Sequence, residues 1–335
     1  MKDGFGREID YLRISLTDKC NLRCSYCMPK EGIKQLGHDD ILTYEEIWRL
    51  VSLMADMGIR KIRLTGGEPL VRKNITGFIR KLKEIPGICE VAVTTNGTLL
   101  PSLAYDLKEA GLDRMNISLD TLRSTAFKEM TGKDLLSEVK RGIKAVRETG
   151  IPMKLNVVPV KGVNDTEAVR IAEFAQSEGI DLRFIELMPI GCASSLKGVS
   201  VSELIRIFED RFGEAKELGD NGKDIAPGPS VYYSFKNYKG RIGFISPLSR
   251  PFCASCNRIR LTAEGFLKLC LQYSDGADLK TPLRDGRSDE EISELIEEAV
   301  AKKPSGHSFN REDFGDGSDR QADNLEYRRM VQIGG

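Results

Sequence analysis

No apolar stretch in the 335 residues approaches the ~20 that a membrane-spanning helix requires. The opening residues, Met1 to Asp10, also carry no hydrophobic signal core, so a cytosolic protein is the expectation. An excess of either charge is missing too: 50 Lys and Arg stand against 50 Asp and Glu. General nucleic-acid binding therefore has no net electrostatic basis, although cations gathered in one cleft are not excluded. Eight cysteines are far too few for a disulfide scaffold, and a reducing cytosol would keep them as thiols. What remains is 40% hydrophobic and 30% charged, the composition of an ordinary globular chain. At ~150 residues per domain its length suits two domains or one large α/β barrel.

Short β-like runs alternate with helical patterns through the first two thirds of the chain. Strands are expected at residues 11–17, 61–64, 90–94, 114–119, 153–158 and 181–187. The first intervening helix opens on the capping box Thr43 to Glu46, buries Ile47, Leu50, Val51, Met54 and Met57 at helical spacing, and stops at Gly58. Further helices are expected at 74–84, 102–110, 134–149 and 166–178, with Gly111, Gly150 and Gly179 after the last three. Six such units imply an α/β fold with a parallel sheet, closed or partly closed, over residues 1–215. Residues 216–335 read as a smaller, β-containing region. It holds hairpins at 230–246 and 258–271 and a last helix from Ser288 to about Lys302.

Strands of a parallel α/β sheet are usually apolar on both faces, yet here every second position is polar. Arg13, Ser15 and Thr17 alternate with Leu12, Ile14 and Leu16; Lys61, Arg63 and Thr65 alternate with Ile62 and Leu64. Asn116, Ser118 and Asp120, then Lys154 and Asn156, then Asp181 and Arg183 continue the pattern. With helices on the apolar face, the polar face lines a lumen, and Arg13, Lys61, Arg63, Lys154 and Arg183 share it. Unpaired buried cations cost several kcal/mol each, so a polyanion such as a nucleoside triphosphate is the expected occupant.

Six of the cysteines form two triplets, Cys20, Cys24 and Cys27 near one end and Cys253, Cys256 and Cys270 near the other. Cys89 and Cys192 stand apart and are expected to be small buried hydrophobes. Three thiolates per site leave one iron of an iron-sulfur cluster open to a ligand. A structural zinc ion wants a fourth ligand, for which His38 is the nearest candidate to the first triplet. The spacing leaves both metals open, more so for the second triplet.

Cys20-x3-Cys24-x2-Cys27 after one strand and Thr65-Gly66-Gly67-Glu68-Pro69 after the next resemble the radical S-adenosylmethionine (SAM) superfamily. More narrowly, the segments Tyr11 to Asp18, Cys27 to Gly32, Arg183 to Gly191 and Phe252 to Thr262, with the closing Gly334 and Gly335, resemble the GTP 3′,8-cyclase family of molybdenum cofactor biosynthesis. The resemblance runs along nearly the whole chain, apart from a Gly- and Asp-rich insertion at 313–324. It implies a partial (β/α)6 barrel with a C-terminal region carrying a second cluster, and a lyase with two 4Fe-4S clusters. Cys20, Cys24 and Cys27 would hold the cluster that reduces SAM to a 5′-deoxyadenosyl radical. Tyr26, Gly66, Gly67, Glu68, Thr94, Ser118 and Met188 would contact SAM, the glycines by letting it come close. Cys253, Cys256 and Cys270 would hold the cluster that binds the guanine of GTP. Arg13, Lys61, Arg63, Lys154, Asn156, Arg258 and Arg260 would bind the nucleotide, and Arg183, Gly334 and Gly335 would act in the cyclisation. An electron donor and, downstream, cyclic pyranopterin monophosphate synthase are the implied partners, with no nucleic acid and no membrane; a homodimer is left open.

Two other readings compete. A radical SAM enzyme modifying a peptide would need an exposed binding surface in place of a cationic lumen. A zinc-stabilised nucleic-acid binder would use its basic residues on phosphates.

Overall fold

A computed structural model describes residues 1–219, 228–309 and 325–334. Gly335 and the insertion at 313–324 lie outside the described residues. The chain opens with β1 (Tyr11–Ser15), α1 (Tyr44–Asp56), β2 (Lys61–Thr65), α2 (Ile75–Lys83), β3 (Glu90–Thr95), α3 (Leu100–Glu109) and β4 (Arg114–Ser118). It continues with α4 (Ser124–Thr131), α5 (Leu136–Thr149), β5 (Met153–Val157), α6 (Ala168–Glu178), β6 (Asp181–Ile185), α7 (Val201–Phe212) and β7 (Ala215–Leu218). Then follow β8 (Ser230–Phe235), β9 (Ile242–Ile245), β10 (Arg258–Leu261), β11 (Phe266–Lys268), β12 (Gly276–Asp278), α8 (Lys280–Arg284), α9 (Asp289–Ala301) and α10 (Met330–Ile333).

β1 to β6 are parallel neighbours in chain order, each linked to the next by helix, which is the expected partial (β/α)6 barrel. One sheet of twelve strands contains them. β10 pairs parallel with β1 at one edge and leads to β11 and β12, while β9 pairs parallel with β6 at the other and leads to β8 and β7. The later hairpins therefore extend both edges of the barrel sheet.

Local chemistry sets the boundaries. Thr43 and Glu46 form the capping box of α1, and Ser288 and Glu291 form that of α9, devices worth about 1 kcal/mol each. α5 and α6 end on Gly150 and Gly179 in the left-handed region, φ 69° for both, where glycine carries no Cβ penalty. Leu12, Ile14, Ile62, Leu64, Met115 and Ile117 are fully buried under the helices, so one face of β1, β2 and β4 forms part of the core. The alternate residues face the lumen.

Candidate active site

Beyond β1 the chain enters the loop bearing Cys20, Cys24 and Cys27. The turn after β2 fastens that loop: Gly67 N–H donates to the Thr17 carbonyl at 2.6 Å and Glu68 N–H to that of Lys19 at 2.8 Å. A Cβ on Gly66 would stand 2.6 Å from the Thr17 oxygen, and one on Gly67 would stand 2.3 Å from the Lys19 oxygen. Glycine is thus required here by contact with the protein's own backbone, a different reason from the ligand approach expected above. The buried Glu68 carboxylate accepts from Leu70 N–H at 3.0 Å, the Thr95 hydroxyl at 2.7 Å and Asn96 N–H at 2.7 Å. Burial still outweighs these donors and pushes its pKa up to about 7.

The three thiols sit near one another and are half-buried. Burial raises Cys20; burial and the neighbouring Cys27 and Cys20 raise Cys24 well above the usual range; Cys27 is pushed up to about 12 by burial and by Cys20. Protonated thiols are what such a pocket dictates by itself, whereas a cationic cluster would compensate the charge of three thiolates. Leu22 N–H points at the Cys20 sulfur from 3.4 Å, a donor suited to a thiolate. His38 is exposed and paired only with Asp39, so it does not join the triplet. Among the described residues no three His, Cys, Asp or Glu groups are arranged to hold a metal ion. A cubane does not ask for that convergence, because each thiolate binds a different iron. The donor set fits an iron-sulfur cluster.

Beside the loop, a small cavity is lined by Cys24, Tyr26, Asn96, Ser118 and Asp120. The Tyr26 hydroxyl donates to Asp120 at 2.6 Å, and Val158 N–H donates to the other carboxylate oxygen at 2.8 Å. Burial lifts Asp120 to about 6 and, together with the Asp120 charge, lifts Tyr26 well above the phenol range. Thr94 lies further along the lumen, 3.4 Å from an Arg63 nitrogen. Met188 is half-buried in the loop after β6.

Strand register explains the lumen. Arg260, Arg13 and Arg63 are aligned across β10, β1 and β2, and Arg258, Tyr11 and Lys61 form the row below. Ser118, Asn156, Arg183 and Gly243 form another row across β4, β5, β6 and β9. Arg183 donates to Asn156 at 3.1 Å and to Asn116 at 2.7 Å. Gly243 makes this possible, since a Cβ there would lie 3.0 Å from Arg183 Cγ and 2.8 Å from the Tyr232 ring. Arg13 is held well below the usual guanidinium range by burial and by Arg260, Arg63 and Arg258. Burial and Arg258 bring Arg260 down to about 10. Burial and mutual repulsion thus both disfavour the charged forms of these guanidiniums.

Two of the five expected lumen cations have acidic partners. Lys61 bonds Asp10 at 3.0 Å, and Lys154 bonds Asp181 at 3.0 Å and the Tyr232 hydroxyl at 2.8 Å. Arg13, Arg63, Arg183, Arg258 and Arg260 stand together along the lumen. Tyr11 was missing from the sequence-based site. Its phenol accepts from Arg63 and lies 5.6 Å from the Arg258 guanidinium carbon, and the surrounding guanidiniums lower its pKa although burial opposes this. Its position two before Arg13 on one strand was the available signal.

The second triplet lies at the opposite end of the β1–β10 pair. Cys253 and Cys256 flank a tight turn just before β10, Cys256 N–H donating to the Cys253 carbonyl at 3.1 Å, and Cys270 follows β11. Cys256 and Cys270 are close enough to raise the pKa of Arg260. The C-terminal segment enters the lumen: Val331 and Ile333 are buried, and the Gly334 carbonyl accepts from Arg260 at 2.7 Å. Gly334 has φ 70°, and a Cβ would stand 2.6 Å from the Thr65 hydroxyl. Arg329 donates to the half-buried Cys192 sulfur at 2.9 Å. Cys89, expected inside, is exposed, because the buried run of β3 starts only at Val91.

A partial α/β barrel with a three-cysteine loop after its first strand and a glycine turn after its second defines the radical SAM class. Residues 14–175 match the Radical SAM superfamily and residues 180–309 match Molybdenum Cofactor Synthesis C. A GTP 3′,8-cyclase of Clostridium perfringens strain SM101 is 45% identical over 335 residues, covering 100% of both chains. One of Desulforamulus reducens is 47% identical over 311 residues, covering 92% of this chain and 95% of that one. The chain belongs to the GTP 3′,8-cyclase family. The crystal structure of Streptococcus suis SuiB bound to precursor peptide SuiA shares the fold, with TM-score 0.61 at 14% identity over 89% of this chain and 66% of that one. No helix among the described residues is long and apolar enough to cross a membrane.

Proposed function

We propose that the protein converts GTP to (8S)-3′,8-cyclo-7,8-dihydroguanosine 5′-triphosphate, an early step of molybdenum cofactor biosynthesis. The observation that carries this reading is the row Arg260, Arg13 and Arg63, set between two cysteine triplets at opposite ends of one strand pair. Residues 1–215 form the radical-generating unit and residues 216–335 bring the second cluster and the tail. When bound, the first cluster supplies the electron that cleaves SAM to a 5′-deoxyadenosyl radical, and the second anchors guanine through its open iron.

The chain's own residues do the rest. Cys20, Cys24 and Cys27 hold the first cluster, and Cys253, Cys256 and Cys270 the second. Tyr26 and Ser118 meet the adenosine of SAM, with Thr94 and Met188 along its path. The Gly66, Gly67 and Glu68 turn fixes the loop against which its methionine end lies. Arg13, Arg63, Arg258 and Arg260 receive the triphosphate, with Lys61, Lys154 and Asn156 completing the binding wall. Phosphate oxygens relieve the mutual repulsion of these cations, so binding and charge compensation coincide. Removal of hydrogen from ribose C3′ leaves a carbon radical that attacks C8 of guanine. Arg183, oriented by Asn116 and Asn156, would serve the step in which the cyclised radical takes an electron, ultimately from the electron donor, and a proton. Gly334 and Gly335 act in the cyclisation.

The reading places the enzyme in the cytoplasm. An electron donor and a cyclic pyranopterin monophosphate synthase acting on the product are its partners, and a homodimer is compatible with it. Anaerobic incubation with GTP, SAM and reductant should yield 5′-deoxyadenosine and an isomer of GTP in equal amounts by mass analysis. 5′-Deoxyadenosine formed without GTP dependence, or no nucleotide product, would overturn the reading.

A further inference from the structure

The segment that follows α9 packs on the second cysteine triplet. Lys303, buried, donates to the Leu269 carbonyl, one residue before Cys270. Arg7, held by the buried Asp3, donates to the carbonyls of Cys253 at 2.8 Å, Pro304 at 2.6 Å and Ser305 at 2.9 Å. A single guanidinium near the N-terminus thereby clamps this segment onto a cysteine some 246 residues away in sequence. Gly306 then passes so close that a Cβ would stand 3.5 Å from the Cys253 sulfur. His307 comes next. Both of its ring nitrogens are buried, and neither makes an aligned hydrogen bond to protein. The groups that act on the ring are the Cys253 sulfur and the Pro247 carbonyl.

A buried imidazole left without a partner is costly, and a segment clamped this firmly needs a reason to keep one. A cluster sulfur supplies both the missing acceptor and the reason, because hydrogen bonds to cluster sulfurs stabilise the more negative, reduced state. We propose that His307 donates a hydrogen bond from its ring to the Cys253 sulfur of the second cluster and so raises that cluster's reduction potential. His307 is a positioning residue in this role and binds no iron. The proposal rests on the reading that Cys253, Cys256 and Cys270 carry a cluster.

The sequence makes the test clean. The chain has two histidines, and the other, His38, is exposed, so histidine labelling with 15N reports on one ring near a cluster. In the full-length protein, anaerobically reconstituted, reduced and free of GTP, pulsed EPR should show a weak 15N coupling characteristic of an outer hydrogen bond. His307→Gln should remove the coupling with iron content unchanged. His307→Ala should move the second cluster's midpoint to lower potential while leaving the first cluster's in place. No 15N coupling in the unmutated protein overturns the proposal. So does a strong coupling accompanied by loss of about half the iron in both variants, which would make His307 a ligand. Replacing Cys253, Cys256 and Cys270 together by Ala without losing iron would instead refute the underlying cluster assignment.

Discussion

The carbonyl oxygen of Gly334 accepts a hydrogen bond from Arg260 at 2.7 Å, placing the end of the described chain inside the cationic row of the barrel. Chain termini normally fray, because few contacts repay their ordering. This one is held by the burial of Val331 and Ile333 and by a backbone conformation, φ 70° at Gly334, that a side chain would strain. Deleting Gly334 and Gly335 should leave iron content and SAM binding near normal. GTP-dependent 5′-deoxyadenosine and cyclised product should fall at least tenfold, about 1.4 kcal/mol in barrier. A peptide of the last residues should restore part of the activity; full activity without it would refute the role.

The two cysteine triplets occupy opposite ends of one strand pair and share no ligand, so their clusters should load independently. Reconstitution should give roughly eight irons per chain. Changing Cys253, Cys256 and Cys270 to Ala should remove half of them and leave SAM cleavage measurable. Loss of all the iron would show that the two sites assemble together.

The lumen was legible in the sequence because parallel register puts same-parity residues of neighbouring strands side by side. Arg13 and Arg63 could be read as partners before any pairing was known. Their closure with Arg260 could not, because β10 reaches β1 across most of the chain, as the bond between Asn257 and Asp10 at 2.5 Å across 247 residues shows. The neutralisation of Lys61 by Asp10 and of Lys154 by Asp181 was not legible, although Asp181 itself reads onto the polar face, because packing between neighbouring strands decides both pairs. The glycine turn was located correctly for another physical reason, since backbone contact with Thr17 and Lys19 is invisible to spacing.

Phosphate recognition by this wall has a measurable signature. Arg258→Gln and Lys154→Met should weaken GTP binding by about 1.5 to 3 kcal/mol, roughly 10- to 150-fold in Kd. Guanosine binding should change much less, and added salt should weaken GTP binding in the unmutated protein. Equal losses for nucleotide and nucleoside would assign these residues to the fold or to the base.

The tail's entry depends on a buried ion pair. Lys268 on β11 bonds Glu326, both side chains essentially inaccessible, and Arg328 donates to the same carboxylate at 2.9 Å. Removing one partner of such a pair typically costs about 3 to 5 kcal/mol. Glu326→Leu should therefore lower the denaturation free energy on that scale and expose the segment from Leu325 onward to limited proteolysis. An unchanged protease pattern would mean that the tail docks without the pair.

The Asp120 carboxyl gives a pH dependence of definite sign. Its folded pKa of about 6 lies above the ordinary carboxylate value of 3.8, with burial the first cause and the bonds from Tyr26 and Val158 opposing it. Between those two values the folded state holds the proton more tightly than the unfolded state, so stability falls as pH rises through the interval. The contribution is fully present below about 4 and is lost above about 6, and a shift of about two units corresponds to about 3 kcal/mol. Asp120→Asn keeps a carbonyl for Val158 N–H and removes the charge. In reconstituted protein, the stability difference between Asp120→Asn and the parent should therefore move in the variant's favour from pH 4.5 to pH 7.5, read from anaerobic denaturant midpoints. A difference independent of pH would show that Asp120 titrates as an ordinary carboxylate and that the Tyr26 cavity is open to water.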